Sequence, residues 1–146
     1  MVWLLILFVI IGLVAVFSYI KKKQIELEES FQKRFAGKTI RCMDKYALFI
    51  AQQSDGYSHF RGTGYLVLTD QELYYERQFG HKVISIPLAS IVDVGETLRL
   101  GGQSTGRSML KVAFKDQKGQ EDAVAWRVKQ LHRWQDEISA LIAKKV

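Results

Sequence analysis

Apolar and polar positions along this chain follow three successive patterns. The first is unbroken: Val2–Ile20, VWLLILFVIIGLVAVFSYI, contains no charged residue. At about 1.5 Å per residue a helix of this length spans about 28 Å, close to the roughly 30 Å of bilayer hydrocarbon. Trp3 and Tyr19 stand near its two ends, where amphipathic rings favour the membrane interface, and Lys21, Lys22 and Lys23 follow at once. The pattern predicts a transmembrane helix over residues 1–20, with residues after it on the cytoplasmic side. A cleaved signal peptide would want a basic start, a shorter apolar core and a small-x-small site; no Lys or Arg precedes Val2, and Val16 with Ser18 make a poor site. A core helix of a soluble domain would carry one polar face, and this segment is apolar on every face.

Residues 21–44 read as a basic, amphipathic helical stalk and linker. Leu27, Phe31 and Phe35 recur every four residues and make one apolar stripe. Glu29 and Lys33 stand in the favourable i, i+4 order, and Gly37 is a helix stop. The stripe either docks on the following domain or pairs with a second copy; the alternative is a solvated linker with incidental aromatics.

The second pattern has period two, which means strands. In GYLVLT, Leu66 and Leu68 alternate with Tyr65, Val67 and Thr69; in ELYYER, Leu73 and Tyr75 alternate with Glu72, Tyr74 and Glu76. Asp70 and Gln71 lie between, and an Asp side chain that bonds nearby amides would close a hairpin. KYALFIAQQ at 45–53 reads as the first strand. KVISI at 82–86, SIVDV at 90–94, MLKVAFK at 109–115 and DAVAWRV at 122–128 read as the later ones. Pro87 suits a strand end. Short strands at regular spacing predict an antiparallel, mainly β body over residues 45–146.

The third pattern returns to a helical period. Leu131, Trp134, Ile138, Leu141 and Ile142 share one face of KQLHRWQDEISALIAKKV, and Lys144 and Lys145 suit the negative end of the helix. This predicts one amphipathic helix closing the sheet body.

Charge and cysteine content change the picture little. The formal net charge is +6 over 146 residues, with all 21 Lys and Arg and all 15 Asp and Glu after the apolar span. Nucleic-acid binding needs clustered cations with interleaved aromatics, and no such cluster occurs, so no nucleic-acid partner is expected. Cys42 is the one cysteine, so no intrachain disulfide forms.

Candidate chemistry is sparse. Gly62-Thr63-Gly64 opens like a dinucleotide fingerprint, but Val67 takes the third glycine position and a strand follows. The glycines instead suit a bulge or close approach. Thr69 with Glu72 matches a helix capping box, but period-two residues follow. GGQSTGR at 101–107 lacks the Lys-Ser/Thr ending of a phosphate loop and reads as a flexible inter-strand loop. His59, His81 and His132 are far apart, without neighbours at metal-ligand spacing. The carboxylate pairs Glu28-Glu29 and Glu121-Asp122 read as solvated charge. Trp126 and Trp134 fall at core positions, and Cys42 reads as a partly buried apolar residue. No catalytic, cofactor-binding or metal residue is expected.

Three features in order resemble the pleckstrin-homology-like superfamily, particularly its bacterial and GRAM-type members. They are the G-x-L-x-L-T-x-x-x-L hairpin at Gly64–Leu73, the I-P-L-x-x-I step at Ile86–Ile91, and the Trp134-bearing terminal helix, together covering about residues 45–143. The resemblance implies a bent antiparallel sheet pair of about seven strands capped by a C-terminal helix, and a binding or scaffold module without catalysis or cofactor. Phosphoinositide-binding members carry a Lys and Arg pattern across the first hairpin; the corresponding loop, QQSDGYSHFRG, holds Arg61 beside His59 and Asp55. The leading expectation is a single-pass inner-membrane protein whose cytoplasmic domain contacts an unknown protein partner or a second copy. The alternative is recognition of anionic lipid head groups through Lys21, Lys22, Lys23, Arg61, Arg77, Lys82 and Arg107. Each basic residue near an anionic surface contributes about 1 kcal/mol. An enzyme of unrecognised class is the third reading.

Overall fold

The computed structural model describes residues 1–55, 61–80 and 82–144. The chain divides into two compact units, Met1–Gly37 and Lys38–Val146. The first is one helix, α1 (Val2–Arg34), long and apolar enough to cross a membrane. It runs unbroken through Lys21–Lys23, where the Lys23 Nζ lies 3.8 Å from Glu26 Oε2 and 6.0 Å from the Tyr19 ring centroid. Lys33 and Arg34 occupy its last turn, where cations complement the helix dipole. The Phe35 amide donates to the Phe31 carbonyl at 3.0 Å, and Gly37 then takes a φ of +76°, which glycine adopts without steric penalty.

The second unit contains seven strands: β1 (Ile40–Gln52), β2 (Gly62–Thr69), β3 (Glu72–Arg77), β4 (Val83–Pro87), β5 (Ile91–Leu100), β6 (Gln103–Lys115) and β7 (Glu121–Arg127). Helix α2 (Leu131–Ala143) follows. All pairings are antiparallel, in the order β4-β3-β2-β1-β7-β6-β5. The bent sheet pair implied by the resemblance is therefore one continuous sheet, curled into a half-barrel. Strand β1 makes this possible. Its register shifts at Ile40/Cys42, Asp44/Ala47 and Phe49/Ala51 let it pair with β2 and also with β7.

The core fills the inside of the curl. Leu66, Leu68, Leu73 and Tyr75 point inward as their alternation predicts, and meet Phe49, Leu110 and Trp126. The Tyr75 ring lies 5.8 Å from Phe49 and 5.9 Å from Trp126. From α2, Trp134, Ile138 and Leu141 pack on the same cluster, with Leu131 and Ile142 half-buried at its edge. Full burial of such side chains contributes about 1.5–3 kcal/mol each.

Three local expectations are corrected. Strand β1 begins at Ile40, not 45, because the bulges break the alternation that marks a strand. The stretch at 101–107 is not a loop: only Gly101 and Gly102 turn, at φ +56° and +77°, with Leu100 paired to Gln103. Two glycines at positive φ make the two-residue turn that suits a twisted hairpin. In the β2–β3 hairpin the Thr69 hydroxyl, not Asp70, accepts the Gln71 and Glu72 amides at 3.2 and 3.1 Å. The Asp70 carboxylate instead accepts from Arg41 Nε at 2.6 Å.

The β5–β6 hairpin gives the outer face a second small core. Leu100 is buried with Ile50, Ala51, Met109, Ala123 and Ala125, on the opposite side of the sheet from Trp126.

Candidate functional site

The outer face carries a cationic recess, and its geometry starts with the β1 bulge. Between Asp44 and Ala47 the register slips, and the buried Asp44 carboxylate turns toward the connection between β7 and α2. One oxygen accepts the Tyr46 amide at 2.8 Å and the other accepts the Lys129 amide at 2.9 Å. The connection then reverses at Gln130, whose φ is +57°. Held by its amide, Lys129 lays its Nζ 5.7 Å from the centroid of the Tyr46 ring, a cation over the negative face of an aromatic.

Beside this pair, Leu48 of β1 is flanked in register by Thr63 of β2 and Arg127 of β7. Arg107 reaches the same place from β6. Together with Tyr46 and Lys129 these residues line a recess of about 510 Å³. A second recess of about 380 Å³ shares Tyr46 and Lys129 and is bordered by Asp44, Cys42 and, from α2, Arg133. Asp44 is the one carboxylate lining either recess among the described residues, and both of its oxygens accept backbone N–H groups. Burial pushes the Cys42 thiol above its usual range, against the opposing influence of Arg133, so it is held as thiol rather than thiolate. The arrangement can attract and order an anion; it places no activated nucleophile.

The residues expected to form a basic patch are distributed differently. Arg77 and Lys82 come together around the buried Phe49 ring, at 6.0 and 4.5 Å from its centroid. Lys82 Nζ also pairs with Asp55 at 3.2 Å. Nearby, the Tyr75 hydroxyl donates to the Gly62 carbonyl at 2.6 Å, and burial raises its pKa to about 12. Glycine is required here: a Cβ on Gly62 would strike the Arg77 side chain, and one on Gly64 would strike the Glu76 carbonyl. Arg61 acts as a tie, donating from Nη2 to the Ser104 carbonyl at 2.8 Å and to Gln103 Oε1 at 3.1 Å. Of the four loop cations, Arg107 alone lines the recess. Lys21, Lys22 and Lys23 stand within α1. On that helix Leu27 and Phe31 share a face, and the Phe31 and Phe35 rings lie 4.6 Å apart.

Sequence reasoning missed Tyr46, Arg127, Lys129 and Arg133. Arg127 holds an outward position in DAVAWRV, which alone is an ordinary strand surface residue. The other available signal was the pair of cations flanking Val128 just before the helix.

Asp122 forms a separate polar cluster. Its buried carboxylate accepts from Gln52 Nε2 at 2.8 Å, the Ser54 amide and hydroxyl at 3.0 and 2.7 Å, and the Ala123 amide at 2.8 Å. These bonds tie the end of β1 to the start of β7, and leave the Glu121-Asp122 pair half structural rather than wholly solvated. Among the described residues, no three His, Cys, Asp or Glu side chains gather as metal ligands. His132 is exposed on α2, and His59 and His81 lie outside the described residues.

No protein-family model and no curated protein matches the chain. Solved structures do. The C-terminal domain of an unknown protein from Leishmania infantum aligns with a TM-score of 0.55 at 16% identity, over 80% of this chain and 97% of that one. A chain of the 8S snRNP assembly intermediate aligns with a TM-score of 0.51 at 11% identity, over 72% and 80%. The hSac2 domain from the human phosphoinositide phosphatase Sac2 aligns at 0.44 and 16%, over 82% and 76%. The likeness is one of fold.

Proposed function

We propose that this chain is a membrane-anchored, non-catalytic binding module of the pleckstrin-homology-like, GRAM-related kind. Val2–Ile20 spans the membrane, and the positive-inside rule applied to Lys21–Lys23 puts the sheet domain in the cytoplasm. In a bacterium that membrane is the inner one. Tethering confines the domain to a surface, so contacts too weak for solution become effective. The observation that carries this reading is the recess around Tyr46. It is concave, cationic and exposed, and its one carboxylate is already occupied by backbone amides.

A photoreactive residue in place of Tyr46, activated in native membranes, tests it. A discrete protein adduct is expected. Adducts to lipid alone would replace the protein-binding reading with lipid recognition. That second reading is favoured by one observation, the convergence of Arg77 and Lys82 on Phe49. Protease added to sealed membrane vesicles of each orientation tests the topology: the domain should be digested only where the cytoplasmic face is outward.

A further inference from the structure

We infer that the adjoining recesses around Tyr46 dock an acidic, extended segment of a partner protein. This rests on the binding-module reading and names what the module recognises.

Charge points to the chemistry. Arg107, Arg127 and Lys129 border the larger recess and Arg133 borders the smaller. Among the described residues no carboxylate forms an ion pair with any of these four. Glu137, one turn along α2 from Arg133, acts on Cys42 in the direction opposite to that arginine. Cations gathered in a concave place focus a positive potential that an anionic ligand relieves. Three of them are arginines, whose planar forks match carboxylates two bonds at a time.

Shape points to an extended protein segment. The recesses, about 510 and 380 Å³, share Tyr46 and Lys129 in their linings, so cationic groups are spread along a two-part trough lined by strands and the start of α2. A lipid head group is a compact anion and is best met by cations converging on one point at a loop rim. A trough suits a chain with acidic groups at intervals. Its floor is also partly apolar. Tyr46 is 61% and Met43 44% exposed, with Leu48 and Val128 beside them. That surface takes an apolar side chain between two acids.

The test uses the full chain in nanodiscs of phosphatidylcholine and a short labelled peptide of glutamates and leucines. Its glutamine counterpart is the uncharged control. Arg107→Glu/Arg127→Glu reverses two recess cations. Lys115→Glu/Lys118→Glu makes the same charge change at the exposed β6–β7 turn. The acidic peptide should bind wild type and the turn variant alike, and bind the recess variant about tenfold or more weakly. If the recess variant does not fold, Arg107→Gln/Arg127→Gln replaces it, and the expected loss is smaller but still confined to the recess. Equal weakening by both charge reversals would reduce the effect to net charge and overturn the inference. So would equal binding of the glutamine peptide, or no binding by wild type. Displacement of the labelled peptide by short-chain phosphatidylglycerol at a lower concentration than unlabelled peptide would assign the trough to lipid. Loss of peptide binding with a protein adduct still captured from position 46 removes only the acidic-segment inference; loss of both removes the binding-module reading.

Discussion

The carboxylate of Asp44 and the backbone amide of Lys129 are 85 residues apart in sequence and joined by a 2.9 Å hydrogen bond. The other Asp44 oxygen takes the Tyr46 amide, so one side chain holds the β1 bulge and the β7–α2 connection together. It thereby fixes both members of the Lys129–Tyr46 pair. Asp44→Ala removes the acceptor from two partly buried amides, which should cost about 1–3 kcal/mol. Urea denaturation of residues 38–146, followed by tryptophan fluorescence, measures this as a lower midpoint at unchanged slope. An unchanged midpoint would mean that water replaces the carboxylate.

Asp122 should make stability depend on pH on the acid side. Burial alone would raise its pKa, but the hydrogen bonds from Gln52, Ser54 and Ala123 outweigh it and hold the carboxyl below its ordinary range. A folded pKa below the unfolded one means a contribution fully present above the unfolded value, about 3.9, and lost as pH falls through the folded one. Asp122→Asn should lower stability at neutral pH by about 1.5–3 kcal/mol, the range for bonds to a charged group. Melting temperatures of wild type and variant should then converge below about pH 3. A gap that stays constant with pH would show that the charge is not what the cluster holds.

Two strand glycines should respond in opposite ways to alanine. A Cβ on Gly64 would strike the Glu76 carbonyl and come within 2.8 Å of Arg77 Cα, both backbone atoms of the paired strand. Gly64→Ala should cost about 1–3 kcal/mol through overpacking. Gly95 has nothing within 4 Å of a Cβ, and Gly95→Ala should be neutral or slightly stabilising. Thermal unfolding of the pair decides it, and equal melting temperatures would contradict the close approach at Gly64.

Trp134 is 2% exposed where α2 meets the sheet, and Tyr46 is 61% exposed beside the recess. Trp134→Ala should cost about 3–5 kcal/mol. Tyr46→Ala should stay within about 0.5 kcal/mol in stability while weakening the acidic peptide. A large stability loss at Tyr46 would make it a structural residue instead of a contact surface.

Local burial was legible in the sequence because side chains repeat with the geometry of their own element. Val2–Ile20 could be read as a span since it is almost entirely apolar and carries no charge, and Leu66, Leu68, Leu73 and Tyr75 as strand interiors since alternate residues share a face. The spacing of Trp134, Ile138 and Leu141 placed the closing helix for the same reason. The start of β1 was illegible because a bulge interrupts the period that would reveal it. The Gly101-Gly102 turn sat inside a polar stretch that resembles a loop in composition. Only the tertiary structure decided the recess. Tyr46, Arg107, Arg127 and Lys129 come from separate stretches, and no local period relates them. Strand register brings Arg127 beside Leu48, the hairpin of β5 and β6 supplies Arg107, and one buried carboxylate pins Lys129 to β1. Such a site depends on which long-range backbone pairings win, and those depend on the whole sheet closing around its core.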